Sequence, residues 1–306
     1  MAVPLPPALP CLCFPELIEA ILHDLFEQEW SQLSRRAALY LSWMAAKAEA
    51  IDAFVPAEST ITRGFELLAA DRRGNSFGKI QVQCKELGIP SVLLRFASLV
   101  AAFLNVRLLR EHLSRHALPF PDLVFTQNVD ADYLNYPRAL KKILDLFPEA
   151  KDVFHFEVNE AITEDYVNTI RFLSQDLGLR LVLDDTNRMD QQVHLELLEY
   201  ADWIKIDFQA TAMLEARLRN GESDQVLWHL ENYARHSQTA VMVLEGLGER
   251  SNLKRFLENR WETSSTRLYH QSRERLPRPP WDQYLGVIQE RVPEEFGLYF
   301  KKELCD

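Results

Sequence analysis

Two short apolar stretches, residues 152–157 (DVFHFE) and residues 179–185 (LRLVLDD), decide how this chain of 306 residues folds. Each stretch has the length of a β-strand and ends in carboxylates. The sequence between them holds one helix-sized segment, residues 163–176, and is closed by Gly178. This order predicts a β–α–β unit, and such units build parallel sheets whose functional groups follow the carboxyl ends of the strands.

The same alternation of strand and helix extends over most of the chain. Strands are predicted at residues 53–57, 62–69, 123–127, 153–157, 179–184, 203–207, 240–245 and 266–271, and helical segments separate them from residue 123 onwards. Such an alternation is typical of a closed barrel or an open doubly wound sheet. No Gly-x-Gly-x-x-Gly follows any predicted strand, and there is no Walker lysine loop. We therefore predict an α/β protein with a TIM-like (β/α)₈ barrel.

The segments that flank the predicted barrel have a helical pattern. Residues 1–52 are predicted as an N-terminal helical extension, because apolar residues recur at helical spacing from Pro15 to about Asp52. These helices would pack on the barrel, or on a protein partner or a second copy of the chain. The barrel itself is predicted at residues 53–280, and residues 281–306 are predicted as a C-terminal helical tail.

Composition and charge exclude several classes of function. A net charge of −11 argues against a DNA-binding or anionic-membrane surface. An anionic substrate is still allowed, since bound divalent cations would invert the local field. The most apolar window, residues 92–109, is interrupted by Arg95, Asn105 and Arg107, so we expect no membrane span. The first 16 residues contain five prolines and no basic segment, and the four cysteines are scattered, which favours a cytoplasmic protein with reduced thiols.

Polar groups end five successive predicted strands. They are Asn128, Glu157, Asp184 with Asp185, Lys205 with Asp207, and Glu245. Carboxylate and amide oxygens without clustered His or Cys suit hard cations such as Mg²⁺, Mn²⁺ or Ca²⁺. Adjacent aspartates can bridge two ions about 3.5–4 Å apart, and Lys205 would stay protonated among these acids. Asp207 fits a loop cap or a structural partner of Lys205 as well as it fits a metal ligand.

Taken in order, these groups resemble the motifs of the EAL family of cyclic di-GMP phosphodiesterases. The matching residues are Glu66-Leu67-Leu68 in GFELL, Asn128 at the end of VFTQN, Glu157-Val158-Asn159-Glu160, Asp184-Asp185, Ile204-Lys205-Ile206-Asp207, Glu245-Gly246 and Gln271. The resemblance covers roughly residues 54–279. It implies a modified (β/α)₈ barrel with an antiparallel first strand.

The resemblance also implies a role for each matching residue. Metal ligands, for Mg²⁺ or Mn²⁺ in a two-metal site, would be Glu66, Asn128, Glu157, Asp184, Asp185 and Glu245. Lys205 and Gln271 would contact the nucleophilic water, and Glu160 would brace the loop after Asp185. The catalytic set is therefore Lys205, Glu245, Gln271 and Glu160, and the expected ligand is a cyclic dinucleotide.

Four departures from the family pattern affect the nucleotide-binding groups. Ala70 stands where the family has an arginine that grips a substrate phosphate, and Val55-Pro56-Ala57 stands for its Gln-Pro-Ile. Residues 186–189 (TNRM) replace the loop Phe-Gly-Thr-Gly. An inserted glycine displaces a further glutamate of the family to Glu249.

Two hypotheses of function follow. The first is a phosphodiesterase that cuts cyclic di-GMP, or a related nucleotide, with water activated by two metal ions. The second is a degenerate EAL protein without turnover that acts as a nucleotide sensor or as a regulator binding another protein. A lyase or enolase-like barrel with Lys205 as its base fits Asn128 and Gln271 poorly. Phe154 and Phe156 are predicted to pack the barrel rather than to stack on bases.

Overall fold

The computed structural model describes residues 15–54, 61–71, 75–115, 123–129, 133, 135–158, 168, 170–184, 200–236, 241–248, 251–260 and 267–271. Within them, eight strands form a closed barrel in chain order. The strands are β1 (Met44–Ala53), β2 (Ile61–Asp71), β3 (Val124–Val129), β4 (Phe154–Val158), β5 (Arg180–Leu183), β6 (Trp203–Ile206), β7 (Val241–Glu245) and β8 (Arg267–Gln271).

Helices precede the barrel and separate most of its strands. They are α1 (Pro15–Leu25), α2 (Glu27–Ser31), α3 (Arg35–Ser42), α4 (Phe77–Glu86), α5 (Ser91–Arg115), α6 (Pro137–Leu146), α7 (Ala150–Val153), α8 (Phe208–Arg219), α9 (Ser223–His236) and α10 (Asn252–Arg260), with a π-helical turn at Phe172–Asp176. In the described ranges, no helix is both long and apolar enough to cross a bilayer.

The strand directions confirm the predicted modified barrel. Strands β2 to β8 run parallel to one another, whereas β1 is antiparallel to both of its neighbours, β2 and β8. The seven strands predicted from residue 62 onwards are found with ends within two residues of the predicted ones. The barrel therefore has one end at which the carboxyl ends of seven strands meet, as the sequence predicts.

The helical prediction is wrong for residues 44–52, because these residues form most of β1. Alanine is the best helix former, and the sequence MAAKAEAIDA is rich in it. Ten residues of this segment pair with β2, however, and that pairing satisfies their backbone groups and closes the barrel. Tertiary pairing thus overrides local propensity, and the first strand begins nine residues before the predicted one. The remainder of the predicted strand 53–57, from residue 55, lies outside the described residues.

The outer faces of the strands pack against helices. Phe103 of α5 lies 4.7 Å from Phe154 and 6.2 Å from Phe156, measured between ring centroids. Both strand residues are buried, so their predicted role in packing is confirmed. The N-terminal helices join the same core through Ile18, Leu22 and Phe26. The alternative in which these helices pack on the barrel therefore holds.

Apolar side chains fill the interior of the barrel below its carboxyl end. Ile51, Val182, Trp203, Val243 and Tyr269 form this plug, together with Val241. His155 also belongs here, with its ring 5.1 Å from that of Trp203, and burial lowers the pKa of this histidine to about 3. The interior below the carboxyl end is therefore largely apolar, and the charged side chains lie above it.

Candidate active site

One polar side chain from each strand, or from the residue directly after it, reaches the carboxyl end of the barrel. We call this set the polar ring: Glu49, Glu66, Asn128, Glu157, Asp184, Lys205, Glu245 and Gln271. Most of its members are buried. Neighbouring strands hold it together at their ends: the amide of Asp184 donates to Val158 O, and the amide of Gly246 donates to Gln271 O. Gly246 has a φ of 73°, a backbone conformation that glycine adopts readily.

The Lys205 ammonium lies at the centre of the ring. Its Nζ is 3.1 Å from Glu66 Oε2, 3.2 Å from Glu157 Oε1, 3.2 Å from Asp184 Oδ1 and 2.6 Å from Glu245 Oε1. The side chain is 1% exposed. Burial alone would lower the pKa of Lys205, but the four carboxylates outweigh it and raise that pKa well above its usual range. Lys205 is therefore a fixed positive charge inside the barrel.

Glu66 is the best-satisfied acid of the ring. Its Oε1 accepts a hydrogen bond from Asn128 Nδ2 at 2.9 Å, and its Oε2 accepts from Gln271 Nε2 at 2.6 Å and from Lys205 Nζ at 3.1 Å. Burial opposes ionisation of Glu66, but the Lys205 charge and these hydrogen bonds hold its pKa below the usual value. Glu66 is consequently an anion at neutral pH.

The other acids exceed what one ammonium can neutralise. Burial, together with the charges of Glu66 and Asp184, raises the pKa of Glu157 well above its usual value. Burial and the same two neighbours raise the pKa of Glu245 to about 7, in spite of Lys205. These shifts record a local surplus of negative charge, because each carboxylate makes ionisation of the next one harder.

The donor chemistry of the ring fits a divalent cation. Both oxygens of Glu157 and Oδ1 of Asp184 are buried. Apart from the ion pairs with Lys205, the described residues form no hydrogen bond of good geometry with them. Lys205 forms ion pairs with Glu157 Oε1 and Asp184 Oδ1, but one ammonium does not neutralise four carboxylates, and a divalent cation would supply the missing positive charge. In the described ranges, no three His, Cys, Asp or Glu side chains are already grouped to hold a metal. The carboxylates face the Lys205 ammonium instead.

The structure brings together seven of the nine site residues predicted from sequence. They are Glu66, Asn128, Glu157, Asp184, Lys205, Glu245 and Gln271. The other two, Glu160 and Asp185, lie outside the described residues, as do Val55, residues 186–189 and Glu249. Asp207, for which three roles were open, caps α8: its Oδ1 accepts a hydrogen bond from the amide of Ala210 at 2.7 Å.

Sequence reasoning missed Glu49, which was assigned to a helix. In the structure it lies opposite Glu66 across β1 and β2, and its Oε2 accepts a hydrogen bond from Gln271 Nε2 at 3.2 Å. A signal for it exists in the sequence: Lys47, Glu49 and Ile51 alternate with alanines, a period of two that indicates a strand. The structure thus adds Glu49 to the four predicted carboxylates that lie among the described residues.

Ala70 occupies the position of the family's phosphate-gripping arginine. It is fully buried, pairs with Ala45 across β1 and β2, and packs with Ala45 and Trp43 in a small apolar cluster. The wall above Glu66 is therefore apolar at this point. Arg72 and Arg73, which are the nearest later arginines, lie outside the described residues.

Comparison with known proteins identifies the fold. No family model matches this sequence, and no curated protein matches it. Among solved structures, this chain is similar to the FimX EAL domain from Pseudomonas aeruginosa bound to c-di-GMP. The match covers 83% of this chain and 93% of the FimX domain, with a TM-score of 0.53 and 13% sequence identity. The match to the phosphodiesterase PaMucR in complex with c-di-GMP covers 83% of this chain and 94% of the PaMucR chain, with a TM-score of 0.55 and 18% sequence identity.

A third structure agrees over a longer part of this chain. The match to the EAL enzyme Bd1971, with cAMP and cyclic-di-GMP bound, covers 90% of this chain and 70% of the Bd1971 chain. Its TM-score is 0.59 and the sequence identity is 15%. Likeness at such low identity is a likeness of fold. The closed barrel with its antiparallel first strand, the order of motifs around its mouth and these solved structures lead to one conclusion: this chain has the EAL-domain fold.

Proposed function

We propose that this chain is a metal-dependent phosphodiesterase of EAL type that hydrolyses cyclic di-GMP or a related cyclic dinucleotide. The observation that carries the proposal is the polar ring, in which four carboxylates surround the buried Lys205 ammonium. The c-di-GMP complexes of FimX and PaMucR support the choice of ligand, because those proteins share the fold of this chain. The proposal also rests on the order of motifs from Glu66 to Gln271.

Glu66, Asn128, Glu157, Asp184 and Glu245 would hold Mg²⁺ or Mn²⁺, with Asp185 as a further ligand. Their surplus of negative charge, which the Lys205 ammonium does not neutralise, favours such ions over a neutral ligand. A bound divalent ion supplies a water of lowered pKa and stabilises negative charge on phosphoryl oxygens. Glu160 would brace the loop that follows Asp185.

Lys205 and Gln271 would act on the reacting groups. The Lys205 ammonium is buried and permanently charged, so it would stabilise the negative charge that develops on the phosphoryl oxygens. Gln271 Oε1 is a buried acceptor without a hydrogen-bond partner among the described residues, and it would accept a hydrogen bond from the attacking water and so orient it. Both groups are held in place before the substrate arrives, which lowers the cost of reorganisation.

A second candidate function is a sensor or regulator that binds a cyclic dinucleotide, or a protein partner, without cutting it. The apolar wall at Ala70 favours this alternative, because it lacks the arginine that would hold a phosphate. The N-terminal helices α1 to α3 would then be the surface for a partner or a second copy. Ala70 affects binding rather than the metal ligands, so we place the phosphodiesterase first.

The test is a hydrolysis assay with cyclic di-GMP and Mg²⁺ or Mn²⁺, with calorimetry of nucleotide binding on the same sample. Glu66→Ala and Asp184→Ala should each lower turnover by more than about 100-fold, the upper range for losing a group that only supports a metal ligand. Both variants should keep a cooperative unfolding transition. Glu19→Ala, at an exposed position of α1, is the control and should leave turnover unchanged.

Three results separate the candidates. Cleavage that depends on added metal and on Glu66 supports the phosphodiesterase. Nucleotide binding without cleavage overturns it in favour of the sensor. If the wild-type protein neither cleaves nor binds the nucleotide, the regulator that binds a protein is the remaining function.

A further inference from the structure

The side-chain amide of Gln271 lies between two carboxylates. Its Nε2 donates to Glu66 Oε2 at 2.6 Å on one side and to Glu49 Oε2 at 3.2 Å on the other. Gln271 is 3% exposed, so water competes little for these hydrogen bonds. Glu66 was expected in the site from its motif, whereas Glu49 was not.

Two carboxylates fix the orientation of this amide. A glutamine has one donor side and one acceptor side, which exchange places when the amide turns by about 180°. Carboxylates accept hydrogen bonds, so only the nitrogen side can face Glu49 and Glu66. The Oε1 atom is then left on the other side, where it is buried and has no hydrogen-bond partner among the described residues.

The register of β1 explains why Glu49 reaches Gln271. Ile51 pairs with Gln271 across β1 and β8, and Glu49 pairs with Glu66 across β1 and β2. Residues 49 and 51 are two apart, so their side chains lie on the same, inner face of the barrel. The antiparallel strand therefore delivers one carboxylate to the point where β8 and β2 approach each other.

We propose that Glu49 is a positioning residue of the site: with Glu66 it holds the Gln271 amide so that Oε1 is presented as the acceptor for the attacking water. This inference rests on the proposed function in one respect, the role of Gln271 toward water. The positioning itself is a property of the protein without substrate. It can therefore be tested separately from turnover.

The alternative is that Glu49 only contributes to the stability of the strand pair. Glu49→Gln distinguishes the two, because its carbonyl oxygen can still accept a hydrogen bond from Gln271 Nε2 while its charge is lost. Glu49→Ala removes the acceptor altogether. A positioning role predicts that Glu49→Gln retains most of the wild-type behaviour, and that Glu49→Ala does not.

The first measurement is made on the full chain without nucleotide. The protein is labelled with ¹⁵N-glutamine, and the side-chain amide of Gln271 is assigned by its loss in Gln271→Leu. In the wild type, both Nε2 protons should resonate downfield and exchange slowly, because each is bound to a carboxylate. In Glu49→Ala, one proton should move upfield and exchange faster, whereas Glu49→Gln should give an intermediate spectrum. An unchanged Gln271 signal in Glu49→Ala overturns the inference.

The second measurement uses hydrolysis of cyclic di-GMP. Glu49→Ala should lower kcat by about 10-fold or more while KM changes little, and Glu49→Gln should restore most of kcat. The double variant Glu49→Ala/Gln271→Ala should be no slower than Gln271→Ala alone, because the two residues act through one group. Additive losses in the double variant contradict the inference. If the wild type does not cleave the nucleotide, the proposed function fails, and the Gln271 resonance alone decides the role of Glu49.

Discussion

At the scale of single residues, the site depends on an imbalance of charge around Lys205. Four carboxylate oxygens lie within 3.2 Å of one ammonium, whose side chain is 1% exposed. Replacing one partner of a buried ion pair costs about 3–5 kcal/mol, since the remaining charge is left without compensation. Here, loss of the lysine leaves several such charges together.

We predict that Lys205→Met lowers the free energy of unfolding by about 3–5 kcal/mol in buffer that contains a metal chelator. Added Mn²⁺ should raise the thermal midpoint of this variant more than that of the wild type, because a divalent ion can replace the missing positive charge. Chemical denaturation and thermal scans with and without Mn²⁺ make the comparison.

The matched control for Lys205 is Lys141. It forms an exposed ion pair with Asp145 at 2.8 Å on α6, and its side chain is 62% exposed. Exposed pairs contribute at most about 1 kcal/mol, so Lys141→Met should change stability little and should not respond to Mn²⁺. Equal stability of Lys205→Met and the wild type in chelator would contradict the central role of Lys205.

Single residues also show what sequence can reveal about a site. Glu157, Asp184 and Glu245 were predictable because each ends an apolar run that forms a strand, whereas Glu66, which lies within β2, followed only from the family resemblance. Their arrangement around Lys205 was not predictable, since it depends on distances between strands that are far apart in the chain. Glu49 was missed because it lies in β1, whose alanine-rich sequence was assigned to a helix.

At the scale of elements, pairing with neighbours decides more than local propensity does. The strand β1 forms from an alanine-rich sequence because β2 and β8 supply partners along its length. The strands from β3 onwards were predictable, because each is a short apolar run flanked by helical sequence. The strand β1 depends on its partners more than on the propensities of its own residues, and for this reason its sequence alone predicted a helix.

The close approach of β2 and β3 at Gly64 gives a prediction at this scale. A Cβ added to Gly64 would overlap the backbone carbonyl oxygen of Val124, which cannot move without disturbing the parallel pairing. We expect Gly64→Ala to lower the free energy of unfolding by about 1–3 kcal/mol, as overpacking does elsewhere. Equilibrium denaturation in urea measures the loss.

Gly78 in α4 provides the control, because a Cβ there meets nothing within 4 Å. Gly78→Ala should raise the free energy of unfolding by about 0.5–1 kcal/mol, as alanine is favoured over glycine within a helix. If Gly64→Ala is as stable as Gly78→Ala, β2 and β3 are not in the contact described.

At the scale of the whole molecule, the net charge of the protein has the same sign as the charge of the ligand that we propose. The chain carries a net charge of −11, and a cyclic dinucleotide carries negative phosphates. Charges of like sign slow diffusional encounter, and added salt screens the repulsion. The field of the protein therefore works against the ligand that we propose.

We predict, on the basis of the proposed function, that the association rate of cyclic di-GMP rises as KCl increases from about 0.05 to about 0.3 M. Stopped-flow fluorescence with a labelled nucleotide, at constant Mn²⁺, measures this rate. A nucleic-acid-binding surface gives the opposite slope, because salt weakens its contacts with phosphates. A rate that falls with salt would mean that a basic surface captures the ligand.

The order of strands and helices predicted a barrel or an open doubly wound sheet, and the absence of a Gly-x-Gly-x-x-Gly motif after any predicted strand favoured the barrel. The antiparallel direction of the first strand followed only from the family resemblance. Its register against β8, which places Glu49 beside Gln271, did not follow at all. Register depends on the closure of the barrel, and closure is a property of the entire chain.

The hydrogen bond between Glu49 and Gln271 joins residues that are 222 positions apart. A ribosome synthesises the chain from its N-terminus, so Glu49 emerges long before its partner does. During nearly all of translation, the nascent polypeptide has the carboxylates of its early strands but lacks the last residue of the constellation. The barrel can therefore close, and Glu49 can accept its hydrogen bond from Gln271, only after β8 has been synthesised.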